Sequence, residues 1–193
     1  QRQMCIRDRI GLARHCKMAE LAAILCSCGK MECFSGDSKL KIQTENEAVA
    51  RKCFTLLQKT FNIETKIFVR ENSHLKRVKV YTIEITDPEE IQVIFQALRL
   101  VTNSIDQGTL VLSDMLVVQQ NCCKRAFIRG AFLASGSISD PEKGYHFEIV
   151  CSDAKRAEQL QTIIRSFSVD AKIVQRKNCL LYTSPSPRDS TSP

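Results

Sequence analysis

The sequence predicts an α+β protein built from two copies of one helix–hairpin–helix–hairpin–helix unit, an αββαββα order. The first observation is an internal repeat, since "FNIETKIFVR" (61–70) matches "FSVDAKIVQR" (167–176) at an offset of 106 residues. The second is that "AELAAILCSCGKMEC" (19–33) aligns with "AFIRGAFLASGSISD" (126–140) at an offset of 107. Matched blocks at nearly one offset indicate a duplication. Mixed helical and alternating patterns place each copy in the α+β class.

Each copy begins with a helix that carries small residues along one stripe. Their spacing of three or four puts them on one face: Ala19, Ala22 or Ala23 and Cys26 in the first copy, and Ala126, Gly130 and Ala134 in the second. Small side chains let two helices approach closely, so the two helices are expected to pair centrally, with two sheets curving away as a saddle. Gly29 and Gly136 follow the helices and are natural helix terminators.

A hairpin and a second helix follow in each copy. "MECFSGDSKLKIQ" contains a Ser-Gly-Asp-Ser turn, and "SISDPEKGYHFEIVC" contains a Pro-Glu-Lys-Gly turn. In the first copy the helix opens with "TENE", where Thr44 and Glu47 have capping-box spacing, and it runs to about Phe61. In the second copy it runs from about Asp153 to Phe167.

A further strand then carries the second half of the repeat match. The first copy continues with a fourth strand, "RVKVYTIEIT" (77–86), and a third helix from Pro88 to about Thr102. The second copy reaches residue 178 without a fourth strand. Its half is therefore expected to be incomplete, with an exposed sheet edge.

Both ends of the chain are predicted to lie outside the folded protein. "QMCIRD" and "CLLYTS" can be back-translated to one DNA element read from opposite strands, and that element resembles a transposase-type sequencing-library adapter. Residues 1–9 and 179–193 are therefore assigned as translated adapter. The remaining chain divides into a first half at 10–118 and a truncated second half at 119–178. The competing interpretation is a genuine basic N-terminus and a disordered Ser/Pro tail.

The composition of residues 10–178 suits one compact domain or two small ones. This segment carries 24 Lys and Arg against 19 Asp and Glu, a net charge of +5. Such a charge permits nucleic-acid binding without requiring it. No apolar run reaches about 18 residues, so no membrane association is predicted.

The cysteines of this segment are interpreted as reduced thiols, because the chain is long and rich in apolar residues. They are Cys16, Cys26, Cys28, Cys33, Cys53, Cys122, Cys123 and Cys151. A zinc site at Cys26, Cys28 and Cys33 is the alternative. Structural zinc usually takes two ligand pairs with roughly two to four residues between partners, and no second pair has that spacing. We therefore predict no metal and no cofactor.

Several stretches resemble known families. "KRAFIRGAFLASGSIS" (124–139) resembles the signature helix of the LAGLIDADG homing endonucleases, which cut DNA. The element order, with "AELAAIL…G", "TENEAVARK" and "CCKRAFIRGAFLASGSISDPEKGYHFEIVC", strongly resembles the WhiA family over nearly all of 12–178. This resemblance implies a LAGLIDADG-like fold and a bacterial DNA-binding transcription regulator linked to cell division, chromosome segregation and, in some lineages, sporulation. It also implies a cytoplasmic, nucleoid-associated protein and a helix-turn-helix domain that this chain lacks.

The same resemblance shows which residues stand where a nuclease has its acids. A LAGLIDADG nuclease places a carboxylate at the end of each central helix, and the pair holds divalent metal at the scissile phosphates. Aligned on the glycines, these positions are Cys28 and Ser135, and the motif's other acid position falls on Cys26 and Leu133. None is an anionic oxygen ligand suited to Mg²⁺. No catalytic residue and no enzyme activity are therefore predicted.

Alternating cations on the strands are the candidate contacts to double-stranded DNA. "KLKIQ" sends Lys39, Lys41 and Gln43 to one face, and "RVKVY" sends Arg77, Lys79 and Tyr81 to one face. A sheet face carrying this many cations can track phosphates. The candidate DNA-binding residues are Lys39, Lys41, Lys66, Arg70, Arg77, Lys79, Lys124, Arg125, Lys172 and Arg176. The competing interpretation is a solvated polar face opposite the core.

Other roles stay open for this segment. The sheet can instead dock a protein, such as another transcription regulator or RNA polymerase, while the missing helix-turn-helix binds DNA. A small-ligand sensor is a further alternative, although no residue cluster points to a pocket. An enzyme of another class is the weakest, because His15, His74 and His146 are isolated in sequence and no nucleophile is paired with them.

Overall fold

The computed structural model describes residue 11 and the ranges 13–34, 37–72, 78–103, 108–138, 147–176 and 179–183. The helices are α1 (Arg14–Cys28), α2 (Glu47–Phe61), α3 (Pro88–Leu98), α4 (Asn121–Ser135) and α5 (Ala154–Arg165). The strands are β1 (Gly29–Phe34), β2 (Asp37–Thr44), β3 (Ile67–Asn72), β4 (Val78–Ile85), β5 (Leu100–Thr102), β6 (Leu110–Leu112), β7 (Gly136–Ile138), β8 (Phe147–Cys151), β9 (Lys172–Arg176) and β10 (Cys179–Thr183). A 3-10 turn lies at Leu116–Val118. No helix in these ranges is long and apolar enough to cross a membrane.

The two larger sheets have the same topology. The first has the strand order β1-β2-β4-β3, and the second has the order β7-β8-β10-β9. Every neighbouring pair in both sheets is antiparallel. This correspondence, with helices joining the hairpins, confirms the predicted duplicated α+β fold. The chain divides into two compact units between Ala134 and Ser135.

The first unit is built around α1. This helix is buried on every side from Ala19 to Cys26, as expected of a helix that runs through a core. The strands of the first sheet contribute large side chains to the core that are at most 2% exposed: Leu40, Ile42, Ile83 and Ile85. Burying each such side chain stabilises the fold by about 1.5–3 kcal/mol. Because strand residues alternate, the neighbours of these core positions must point to the opposite face.

The ends of the two signature helices are as predicted. Helix α1 ends at Cys28 and is followed by Gly29, while α4 ends at Ser135 and is followed by Gly136. The predicted close approach is also confirmed. A Cβ on Gly130 would lie 2.5 Å from the backbone oxygen of Glu20 and 3.0 Å from Cβ of Ala23. Only a residue without a side chain fits between α4 and α1 at this point.

The capping-box prediction for α2 is wrong. The N-cap is Asn46, whose side chain accepts a hydrogen bond of 3.0 Å from the backbone N–H of Ala48. Thr44 is still in β2, and its hydroxyl oxygen accepts from the N–H of Asn46 at 3.1 Å. Asparagine is as good a cap as threonine or better, and the strand that ends at Thr44 sets where the helix begins.

Helix α3 is shorter than predicted. It ends at Leu98, and Arg99 adopts the left-handed conformation with φ of 55°. Residues 100–102 pair with 110–112 in a two-stranded sheet that the sequence did not predict. Leu100, Leu110 and Leu112 are buried in this ribbon. Burial of these side chains favours the two strands over a further helical turn at 100–102.

The expectation that the second copy lacks a fourth strand is also wrong. Cys179–Thr183 forms β10 between β8 and β9, in the slot that β4 fills in the first sheet. Backbone N–H and C=O groups of β8 and β9 that would otherwise lie unpaired thereby pair with β10. The assignment of 1–9 and 179–193 to a translated adapter stays a prediction, and 1–9 and 184–193 lie outside the described residues.

Candidate nucleic-acid interface

The solvent-facing side of the first sheet carries the candidate interface, and we call it the outer face. The register defines it, because Lys41 pairs with Lys30 on one side and with Glu84 on the other, while Phe68 pairs with Thr82. Its members are Lys30, Glu32, Asp37, Lys39, Lys41, Gln43, Phe68, Arg70, Val78, Val80, Thr82 and Glu84. Many of them line an open groove of about 760 Å³.

Two of the predicted lysines are held by carboxylates on this face. Lys41 Nζ lies 3.1 Å from Glu32 Oε1, and Lys39 Nζ lies 3.2 Å from Glu84 Oε1 and 3.6 Å from Glu32 Oε2. The hydrogen bond from Lys41 lowers the pKa of Glu32 below its ordinary value. With four cations against three carboxylates, the outer face attracts phosphate less strongly than the sequence predicts.

The most available cations are at the two margins of the outer face. Lys30 and Arg70 are exposed, and within the described residues neither lies in an ion pair. Phe68 follows the same alternation as Arg70 and is 50% exposed. Sequence analysis missed Lys30 because the hairpin was taken to begin at Met31. The alternation of Lys30 with Glu32 was the signal that could have identified it.

The register contradicts one expectation about the sheet cations. Arg70 pairs with Val80 across β3 and β4, whereas Lys79 pairs with Glu71. Lys79 therefore points to the face opposite Lys39, Lys41 and Arg70, and its Nζ lies 3.6 Å from Glu71 Oε1. The sequence could show that Lys79 alternates with Val80, but the pairing with β2 decides which of the two shares the lysine face. Arg77 lies outside the described residues.

The remaining candidates are not on the outer face strands. Lys66 is exposed just before β3, while Lys124 and Arg125 are the fourth and fifth residues of α4. In the second unit, Lys172 Nζ lies 3.9 Å from Asp170 Oδ2. The backbone of Arg176 belongs to β9, and its side chain is outside what the structure describes. Among the candidates whose side chains the structure describes, Lys39, Lys41 and Arg70 lie together on the outer face.

The two positions aligned with nuclease acids are the last residues of their helices. Cys28 and Ser135 are both half-buried. A shallow concavity adjoins Cys28, and Glu45 is the one carboxylate among its described lining residues. Burial, and then the neighbouring Cys28, raise the pKa of the Cys53 thiol. Neither helix end supplies an anionic oxygen for a divalent metal.

A buried ion network links three helices of the first unit. Glu20 on α1 is fully buried, and its Oε1 lies 2.5 Å from Nζ of Lys52 on α2. Arg129 on α4 donates two hydrogen bonds to the same carboxylate, at 2.9 and 2.7 Å. Sequence analysis missed this network, although an acid inside the apolar run "AELAAIL" was a visible signal for it.

Family models match two parts of the chain. The WhiA N-terminal LAGLIDADG-like domain matches residues 14–101, and the WhiA LAGLIDADG-like domain matches residues 124–185. A probable cell division protein WhiA from Lachnoclostridium phytofermentans is 49% identical over 173 residues, which are 89% of this chain and 55% of the relative. The corresponding protein of Desulforamulus reducens is 39% identical over 174 residues, 88% of this chain and 52% of the relative. The chain spans about half the length of the curated relatives it matches.

Solved structures show the same fold. Full-length DUF199/WhiA from Thermatoga maritima matches with a TM-score of 0.66 and 18% identity, over 95% of this chain and 55% of that chain. I-DmoI in complex with DNA and Mn matches with a TM-score of 0.60 and 13% identity, over 89% of this chain and 91% of that chain. At these identities the likeness concerns the fold alone, and it confirms the predicted LAGLIDADG-like architecture.

Proposed function

Because the chain belongs to the WhiA family, we propose that it is part of a cell-division protein that binds double-stranded DNA and regulates transcription. In this proposal the outer face of the first sheet contacts the DNA, and the chain does not cut it. The wider roles in chromosome segregation and sporulation, and a cytoplasmic, nucleoid-associated location, are proposed for the whole protein through the family resemblance.

The observation that carries the proposal is the layout of the outer face. Lys30 and Arg70 are free to meet phosphates at its two margins. Between them, Gln43 and Thr82 form a cross-strand pair whose side chains can donate and accept hydrogen bonds. A glutamine amide suits the N6 and N7 edge of adenine, and strands can enter the major groove. Backbone contacts thus come from the margins and base contacts from the centre.

In this proposal Lys39 and Lys41 provide further positive charge that can contact phosphate when DNA binds. They now contact Glu32 and Glu84, and both pairs are only partly buried. Exposed and half-exposed ion pairs contribute about 1 kcal/mol or less, so phosphates can compete for these lysines. Binding is then expected to be moderate in affinity and sensitive to salt.

The proposed lack of cleavage rests on the ends of α1 and α4. Phosphodiester cleavage by this type of site needs carboxylates that hold divalent metal against the attacking and leaving oxygens. A cysteine and a serine stand at these positions. The I-DmoI structures with DNA and metal concern that protein, and here only the fold is shared.

A protein-docking role is the second candidate, favoured by a different observation. Phe68 on the outer face is 50% exposed, and the lysines at the centre of the outer face are already paired with acids. An exposed aromatic side chain in nearly balanced charge suits a protein partner, such as another regulator or RNA polymerase, better than a phosphate backbone.

One gel separates these functions. The chain is incubated with labelled duplex DNA and Mg²⁺ at low and high salt, and both mobility shift and cleavage are scored. We expect shifted, intact DNA, with a weaker shift at high salt. Unshifted DNA from a chain shown by circular dichroism to be folded would leave the docking role. Mg²⁺-dependent cutting would overturn the proposed lack of catalysis.

A further inference from the structure

Four metal-ligating side chains meet at the start of the paired helices, away from the outer face. His15 and Cys16 are in the first turn of α1, and Cys122 and Cys123 are in the first turn of α4. Their ligand atoms all lie within 4.8 Å of one another. Cys122 Sγ and His15 Nε2 are 3.4 Å apart. Sequence analysis treated His15 as isolated, because the two vicinal pairs are separated by more than a hundred residues.

The internal repeat places these residues at equivalent positions. His15 and Cys122, and likewise Cys16 and Cys123, are separated by 107 residues. The glycines that end the two helices have the same offset. Each copy of the repeat therefore contributes one vicinal pair from the same helical turn, and the close approach of α4 to α1 at Gly130 brings the pairs together.

The chemistry and size of the cluster fit zinc. Three thiols and an imidazole form one of the usual ligand sets of structural zinc. In a tetrahedral site with Zn–S of about 2.3 Å and Zn–N of about 2.0 Å, ligand atoms lie roughly 3.3–3.8 Å apart. The observed separations need to contract by about 1 Å at most, which is within reach of side-chain rotation. Soft thiolates also select zinc over Mg²⁺ or Ca²⁺.

The surroundings favour the charge that such a complex would carry. Zinc with three thiolates and a neutral imidazole has a net charge of −1. The N-terminus of each helix carries roughly half a positive charge, so two helix starts offset that charge. Cys123 is 3% exposed, while His15 and Cys122 are exposed. The site is thus closed on the protein side and open to an incoming ion on the other.

We propose that His15, Cys16, Cys122 and Cys123 bind one zinc ion that clamps the N-terminal ends of α1 and α4. The clamp joins the first helices of the two copies at one end, as Glu20 and Arg129 join them farther along. This site is distinct from the Cys26, Cys28 and Cys33 alternative. Within the described part of the chain, those three cysteines do not form a cluster of ligand atoms at metal-binding distance.

Cobalt and zinc titrations of the 193-residue chain test the site. With a non-thiol reductant present, Co²⁺ should produce thiolate-to-metal charge transfer and the intense visible bands of tetrahedral cobalt, and one equivalent of Zn²⁺ should abolish them. Cys122→Ser is the main variant, because an exposed side chain can change without loss of the core. Cys33→Ser is the matched control, since Cys33 is also exposed but lies outside the cluster.

The control should bind as the original chain does, and Cys122→Ser should lower the zinc affinity by more than about 100-fold. Loss of an outer-shell partner alone costs about 10–100-fold, so loss of a ligand must cost more. Circular dichroism should show that both variants fold. Octahedral cobalt spectra, equal affinities of the two variants, or oxidation of Cys16 to a disulfide with Cys122 or Cys123 in preference to binding would overturn the zinc assignment.

Discussion

Glu20 and Arg129 form a bidentate ion pair, in which Nε lies 2.9 Å from Oε1 and Nη2 lies 2.7 Å from Oε2. The pair joins α1 to α4, and the same carboxylate also holds Lys52 of α2. A buried acid with two cationic partners thus joins three helices of the first unit. Burying these charges is costly in itself, so the network is best viewed as a determinant of helix register.

Removing the buried carboxylate should destabilise the protein strongly. Glu20→Gln removes the carboxylate charge that Lys52, whose side chain is 1% exposed, contacts in the folded chain. Breaking a buried pair in this way costs about 3–5 kcal/mol. Urea unfolding of both proteins measures the loss. Glu47→Gln is the control, because the exposed pair of Glu47 with Arg51 is worth less than about 1 kcal/mol. Similar losses in both variants would contradict the assignment.

A methyl group at Gly130 should also destabilise the protein. In an exposed helix, alanine is better than glycine by about 1 kcal/mol. Here the new Cβ would meet the backbone oxygen of Glu20 at 2.5 Å, so Gly130→Ala is expected to cost about 1–3 kcal/mol through overpacking. Thermal or urea unfolding shows whether the variant is less or more stable than the original chain. Gln58→Ala, on the exposed side of α2, should change stability by less than about 0.5 kcal/mol. A stabilised Gly130→Ala would mean that the helices are not in close contact.

Removing one acid from the outer face should strengthen DNA binding. Glu32→Gln releases Lys41 and one of the two contacts of Lys39, and both lysines then become available to phosphate. The affinity should rise by up to about 5-fold, because a half-exposed pair is worth about 1 kcal/mol or less. Fluorescence anisotropy with a labelled duplex measures it. Glu71→Gln, on the opposite face beside Lys79, is the control and should have little effect. An unchanged affinity in Glu32→Gln would indicate that these lysines do not meet DNA.

The same pair predicts a pH dependence of stability. The hydrogen bond from Lys41 lowers the pKa of Glu32 in the folded chain, so its stabilisation is present above the ordinary carboxyl pKa. It is lost as the pH falls through the lowered value, where the carboxylate becomes protonated. The difference in urea midpoint between the original chain and Glu32→Gln should therefore shrink toward zero in acid. If the difference in urea midpoint stayed constant down to low pH, the Glu32–Lys41 pair could not be the cause of that difference.

Local patterns predicted the elements well, while pairing and register escaped sequence analysis. Gly29 and Gly136 marked the helix ends correctly, although Gly29 has an extended backbone (φ −90°, ψ 146°), and a Cβ there would lie 2.5 Å from the backbone oxygen of Leu25. The face of Lys79 depended on which residue of β2 lies opposite β4, which is a non-local choice. Glu20 and Arg129 meet across 109 residues, and His15 meets Cys122 across 107. A local sequence pattern cannot show such long-range contacts. The repeat does show that His15 and Cys122 occupy equivalent positions, because they are 107 residues apart.

The most direct test of DNA binding by the outer face is the salt dependence of affinity in Lys30→Ala/Arg70→Ala. Each lost phosphate contact should reduce the slope of log K against log salt by about 1, so the double variant should lose about 2. Arg51→Ala, an exposed cation on α2 outside this face, is the matched control and should keep the original slope. A double variant with the slope and affinity of the control would contradict DNA recognition by this sheet.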